Sequence, residues 1–243
     1  MLTIRPVIEV NPWAIAESTN SEVLDDGPDG PTVRQPADRP GPWRVASLPA
    51  WSWLPLDGAR TPAEVALFIA AVAASTHPAE EWPSQAVDRL LAAPHLIVSG
   101  GLQVHDSTTG VTITPGCCCG LETWREWLAL PDGDAPWLGH DPTPTIQDLG
   151  PVLRLWQNAE TDGRHVDIPR AALRALLEQA HRDLNDFLLL TGAWAITWTT
   201  SRQSRALTAA LDRGFAVTAP LEFPCDTATL APPTRPGGPA LGD

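Results

Sequence analysis

The sequence predicts an α+β fold, an antiparallel sheet packed against several helices. Apolar stripes of helical period are interspersed with short strand-like runs, but never in a regular βαβ cadence. The 26 prolines and 18 glycines divide the 243 residues into many short elements, which disfavours an all-helical bundle. A chain of this length can bury a substantial core, so residues 1–219 read as a single α+β domain, followed by a Pro/Gly-rich, partly mobile tail at 220–243.

Leu2 to Val10 reads as a strand, or as a strand pair divided at Pro6. Residues 17–42 hold Glu17, Glu22, Asp25, Asp26 and Asp29, followed by repeated proline and glycine. That composition offers no buried face, and an exposed acidic loop is expected. Trp43 to Leu48 and Trp51 to Leu56 suit short strands. Thr61-Pro62-Ala63-Glu64 then combines an N-cap, a proline at the first helical position and a capping-box glutamate. The helix it starts should run to about Ser75 with Val65, Phe68, Ile69 and Val72 inward. A second helix follows Ser84, buries Val87, Leu90 and Leu91, and stops before Pro94.

His95 to Ser99, Gly100-Gly101 and Leu102 to His105 read as strand, turn and strand, because paired glycines suit hairpin turns. Asp106 to Gly110 turns the chain again, into a strand at Val111 to Thr114. Gly116-Cys117-Cys118-Cys119-Gly120 follows, immediately before a helix candidate in which Leu121, Trp124, Trp127 and Leu128 align. A proline-rich loop through Trp137, His140 and Asp141 leads to a strand at Val152 to Gln157. A long helix starts at Pro169 and continues to Leu190 on the stripe Leu173, Leu176, Leu177, Ala180, Leu184, Phe187 and Leu188. Ala193 to Trp198 reads as a strand, Arg205 to Asp212 as a short helix and Phe215 to Thr218 as a last strand.

Sixteen basic residues against 29 acidic ones give a formal charge of −13, and every basic residue is arginine. An acidic surface repels phosphate backbones, so no nucleic-acid partner is expected. Without lysine there is neither Schiff-base chemistry nor a phosphate-loop lysine, and no GxGxxG, GxSxG or HExxH motif is present. Cys117, Cys118, Cys119 and Cys225 do not form a spaced disulfide framework, which points to a reducing, cytoplasmic setting. No secretory signal is read at the N-terminus. The most apolar stretch, Val65 to Ala74, is about half the roughly 20 residues a membrane span requires, so no membrane association is expected.

The cysteine turn is the most unusual segment. Flanking glycines suit a compact turn, and N–H groups at a following helix start would lower the pKa of a thiol placed there. Cys117, Cys118 and Cys119 are therefore candidate catalytic nucleophiles, with His140 as a candidate base. The same three cysteines with His105 are a candidate metal set, although zinc loops commonly separate thiolates by about two to four residues. A vicinal disulfide would strain the turn. The competing assignment is that three small thiols simply fill a junction against Trp124 and Trp127, free cysteine being commonly buried and inert.

Eleven tryptophans without a single tyrosine make an uncommon aromatic set. Indoles anchor interfaces but also fill cores; Trp124, Trp127 and Trp137, with Asp141 orienting charge, are the candidate partner-binding residues. The main functional expectation is a soluble, non-enzymatic binding or protein-interaction module, in the manner of an intracellular inhibitor or immunity protein steered toward a basic protein partner. The alternative is a cysteine-dependent or metal-dependent enzyme built on the GCCCG turn. No cofactor is specified by any motif.

Overall fold

The computed structural model describes residues 1–11, 22–24, 31–34, 45–46, 48–49, 51–75, 83–158 and 163–223. In chain order its strands are β1 (Leu2–Glu9), β2 (Glu22–Leu24), β3 (Thr32–Arg34), β4 (Trp53–Pro55), β5 (Gly100–Asp106), β6 (Val111–Ile113), β7 (Thr145–Asp148), β8 (Val152–Trp156) and β9 (His165–Pro169). The helices are α1 (Pro62–Ala74), α2 (Pro83–Ala92), a 3-10 helix (Leu121–Asp132), α3 (Arg170–Ala195) and α4 (Ser201–Phe215). Antiparallel sheets packed against several helices are the fold class expected from the sequence.

β1 lies inside a four-stranded antiparallel sheet of order β4, β1, β5, β6, paired with β5 from Leu2 opposite Asp106 to Ile8 opposite Gly100. Pro6 does not divide the strand. Its carbonyl accepts the Leu56 N–H at the end of the β4 ladder, so its missing N–H falls on that side and the pairing with β5 is kept. Gly100 and Gly101, expected to turn the chain, instead lie within β5. A Cβ on Gly100 would sit 2.4 Å from the Val7 carbonyl oxygen, so glycine here permits close approach of two strands. The segment from His95 to Ser99 is consequently not a hairpin strand: Ser99 forms an isolated bridge with Gly120, and Leu121 N–H donates to Val98 O. The expected turn at Asp106 to Gly110 does form, between β5 and β6.

A second antiparallel sheet, β7–β8–β9, flanks the strand expected at Val152 to Gln157 with two further strands. β9 alternates buried Val166 and Ile168 with exposed Asp167 and Pro169, a period-two signal hidden by the helix start that follows it. Arg154 grips Asp167 across the strands with Nε and Nη2 at 2.7 and 2.9 Å. Buried Gln157 ties this sheet to the first, its Oε1 accepting Thr114 N–H at 2.8 Å and its Nε2 donating to Thr114 O at 3.2 Å.

β2 pairs with β3 inside the region expected to be an acidic loop; the other residues of 17–42, apart from Pro31, lie outside the described ones. So do Trp13, Trp43, Trp82, Glu80, Glu81, Cys225 and the tail from residue 224 onward. Of the strand expected over Trp43 to Leu48, the described residues Val45, Ala46 and Leu48 carry no strand.

α1 starts on the expected capping box, with Thr61 and Glu64 each bonding the other's backbone N–H. It is apolar nearly all round and correspondingly buried. α3 does not stop at Leu190, and Ala193 to Trp198 is not a strand. Gly192 lies against α4, where Ser204 Oγ donates to its carbonyl at 2.8 Å, so this glycine marks a helix contact rather than a helix end. α4 is longer than expected because Thr200 and Gln203 form a second capping box. Phe215 ends that helix, and Ala216 caps it in the left-handed conformation at φ 49°, in place of the expected strand.

One buried apolar cluster runs from Ile4 to Val217 through the four-stranded and three-stranded sheets and the helices. Phe68 meets Phe187 edge-on at 5.0 Å at its centre. Trp124 is 1% exposed: its Nε1–H donates to Phe215 O at 2.8 Å, its ring stacks on His181, and the Arg125 guanidinium lies 4.8 Å from its centroid. Among the described residues no helix is long and apolar enough to cross a membrane. Trp124→Ala should lower stability by about 3–5 kcal/mol, the usual loss for a buried large aromatic, as read by urea denaturation. Thr61→Ala should cost only about 1 kcal/mol in the same assay.

Candidate functional site

The cysteine turn is fastened to the main sheet before it carries any chemistry. Gly100 N–H of β5 donates to Cys119 O at 3.0 Å, and Cys119 N–H closes back on Gly116 O at 3.3 Å. Between them Cys118 takes φ 62°, a left-handed conformation that costs a residue with a side chain of order 1–3 kcal/mol. The turn sorts its three thiols. Cys119 is buried, whereas Cys117 and Cys118 are exposed.

The Trp137 to Pro142 loop then folds back onto the turn. Gly116 N–H donates to Leu138 O at 2.7 Å, Cys117 N–H to His140 O at 2.5 Å, and His140 N–H to Cys117 O at 3.0 Å. The two backbones meet at glycines on both sides. A Cβ on Gly116 would lie 2.2 Å from Pro142 O, and one on Gly139, at φ 86°, would lie 2.5 Å from Gly116. Trp137 completes the join: its Nε1–H donates to Cys118 O at 3.2 Å, its N–H to Glu126 Oε2 at 2.8 Å, and its carbonyl accepts the Cys119 thiol at 3.5 Å.

This join sets Cys117, Cys118 and His140 side by side. Their ligating atoms all lie within 4.8 Å of one another, the two sulfurs are 3.4 Å apart, and all three residues are exposed. Among the described residues this is the one group of its kind. Asp141 Oδ2 lies 3.4 Å from His140 Nδ1, with its own carboxylate almost fully in solvent. Trp137, 51% exposed, presents its ring edge-on to the imidazole at 6.4 Å.

The hydrogen bond with Cys118 holds the Cys117 thiol above its ordinary value, and partial desolvation and the charges of Glu9 and Asp141 push the same way. Burial pushes Cys119 up to about 11, so the nearby helix start does not activate it as expected: desolvation outweighs the helix terminus.

The remaining candidates fall elsewhere. His105 lies on β5, bonded through Nδ1 to Thr112 Oγ1 at 2.8 Å, and stands outside the cluster. Cys119 also stands outside it. Trp124 and Trp127, 1% and 3% exposed, place their indoles in the core, so the shared aromatic surface reduces to Trp137. Trp194 and Trp198, expected in a strand, instead line an apolar groove of about 610 Å³ with Val65 and Leu190. Nothing in their sequence spacing signals that groove, because it forms only where the end of α3 meets the start of α1.

No protein-family model matches the chain, and no significant match is found among curated proteins or solved structures.

With Cys225 replaced by serine, a thiol reagent should label the exposed Cys117 and Cys118 before Cys119, which should react only as the pH approaches 11 or on unfolding. The folded chain keeps the Cys119 proton that the unfolded chain releases at its ordinary value of 9.0. Stability should therefore fall as pH rises between 9.0 and about 11, and a Cys119→Ala variant should lose that part of the decline.

Proposed function

We propose that this chain is a metal-dependent protein whose working centre is Cys117, Cys118 and His140, holding one Zn(II) ion with a fourth position open to solvent. The convergence of two sulfurs and one imidazole nitrogen within 4.8 Å carries this reading. Tetrahedral zinc, with bonds of about 2.3 Å to sulfur and 2.0–2.1 Å to nitrogen, holds its ligand atoms roughly 3.6–3.8 Å apart. The sulfurs, at 3.4 Å, need to separate slightly, and the imidazole, within 4.8 Å of them, to close on them, for the set to accept it. Three protein ligands plus an exchangeable position is also the arrangement that lets zinc acidify a bound water or polarise a substrate oxygen. Asp141 supports the set as an outer carboxylate that can take the Nδ1–H of His140 and fix the ring.

Local charge separates this reading from simple thiol catalysis. Reactive cysteines sit in electropositive surroundings that stabilise a free thiolate. Here the hydrogen bond with Cys118 first, and the charges of Glu9 and Asp141 after it, oppose a free thiolate at Cys117. The partner-binding reading keeps Trp137 and Asp141, both exposed, and the −13 charge that would steer a basic protein. Trp124 and Trp127 lend it no support, since indoles sealed in the core offer a partner no face.

Calorimetry on the reduced full-length protein should record about one zinc per chain, with protons released to the buffer as the thiols ionise. Affinity should weaken as the pH is lowered, because protons compete for the same sulfurs. Cys117→Ser, Cys118→Ser and His140→Ala should each reduce affinity by more than the roughly 10–100-fold that loss of an outer-shell partner costs. Gly139→Ala, which retains every ligand but cannot keep the loop contact, should weaken binding too. Unchanged affinity in the three ligand variants would exclude this centre.

A further inference from the structure

We infer that the Cys117–Cys118 pair is a redox modification site, at which a hydroperoxide joins the two sulfurs and expels the metal. This rests on the zinc reading above and adds a means of unloading the site.

The two sulfurs are 3.4 Å apart and both are open to solvent, so a small oxidant reaches them and only the turn itself has to adjust to join them. Metal binding removes the thiol protons, so the loaded site is the state that offers thiolates at neutral pH. One thiolate sulfur attacks a peroxide oxygen; the O–O bond breaks, hydroxide leaves and a sulfenic acid forms. The second thiolate attacks that sulfur, the S–S bond forms and a second hydroxide leaves. In sum, two thiolates and one hydrogen peroxide give one disulfide and two hydroxides. The sulfurs are oxidised, the peroxide oxygens are reduced, and zinc departs with its charge unchanged.

Two features of the turn direct this outcome. His140 is the one ligand of the three that peroxide leaves intact, and a single imidazole is too few donors to retain zinc. Cys119 cannot substitute for a lost thiolate or pair in place of one: it is 5% exposed and its thiol is turned to the Trp137 carbonyl. The bond is also poised to reopen. Neighbouring Cα atoms are about 3.8 Å apart, below the roughly 4.4–6.8 Å usual for disulfides, and a strained bridge of this sort is readily reduced. A dithiol reductant restores both ligands.

The test uses full-length protein carrying Cys225→Ser, first titrated with zinc in the reduced state and then treated with hydrogen peroxide. Zinc release is followed with a chromogenic chelator, and the products by intact mass and peptide mapping. Expected are one zinc released per chain oxidised, loss of two hydrogens confined to the peptide holding Cys117 and Cys118, and recovery of zinc binding after dithiothreitol. Cys119→Ala should behave as the parent does. Cys118→Ser should form no intrachain bridge and should instead gain oxygen at Cys117. Zinc retained by the bridged protein, a bridge through Cys119, or release accompanied only by sulfinic acids overturns the inference while leaving the zinc centre standing. A reduced protein that takes up no zinc overturns the zinc centre and this inference with it, whatever the mass spectrum records.

Discussion

Along the route from the main sheet to the thiols, backbone meets backbone where a side chain would otherwise stand. β5 approaches β1 across Gly100, which puts its N–H in reach of the Cys119 carbonyl. The 137–142 loop approaches the cysteine turn across Gly116 and Gly139, which puts His140 opposite Cys117. Remove the second approach and the sulfur atoms and the imidazole belong to two independent loops; remove the first and the turn loses its tie to the sheet. The site is therefore a product of main-chain hydrogen bonding, and its side chains need only follow the direction the backbone gives them.

That backbone arrangement also divides three chemically identical residues into two kinds. The left-handed conformation at Cys118 turns the chain so that Cys119 enters the core while Cys117 and Cys118 stay wet. Burial then makes Cys119 a poor acid, and exposure leaves the other pair available to a cation. At Cys117 the hydrogen bond with Cys118 comes first, and the charges of Glu9 and Asp141 last, in holding the thiol above its ordinary value.

The legible parts of the sequence are those in which local signals and tertiary packing agree. Thr61-Pro62-Ala63-Glu64 starts α1 as expected, because a capping box satisfies its own backbone donors whatever surrounds it. The stripe of α3 is likewise borne by Leu173, Leu177, Leu184 and Phe187, all buried. Glycine marks a turn at Gly110 but misleads at Gly100 and Gly192. Gly100 and Gly192 lie inside elements, each occupying a place where a neighbouring strand or helix comes close, and only that neighbour distinguishes a contact glycine from a turn glycine. β7 and β9 escape a reading of the sequence because short strands gain their stability from the partner beside them, here β8, rather than from their own pattern.

The same division holds at the site. The sequence by itself determined that three cysteines stand between glycines at 116–120 and that Trp137, His140 and Asp141 share a proline-rich loop some twenty residues on, since residue type and spacing are local properties. Tertiary structure alone decided that His140 rather than His105 joins the thiols, that Cys119 does not, and that Trp137 is the exposed indole of its group. The reason is physical: which faces of two loops meet is fixed by hydrogen bonds and clearances between residues some twenty positions apart, and no local periodicity encodes a distance of that kind.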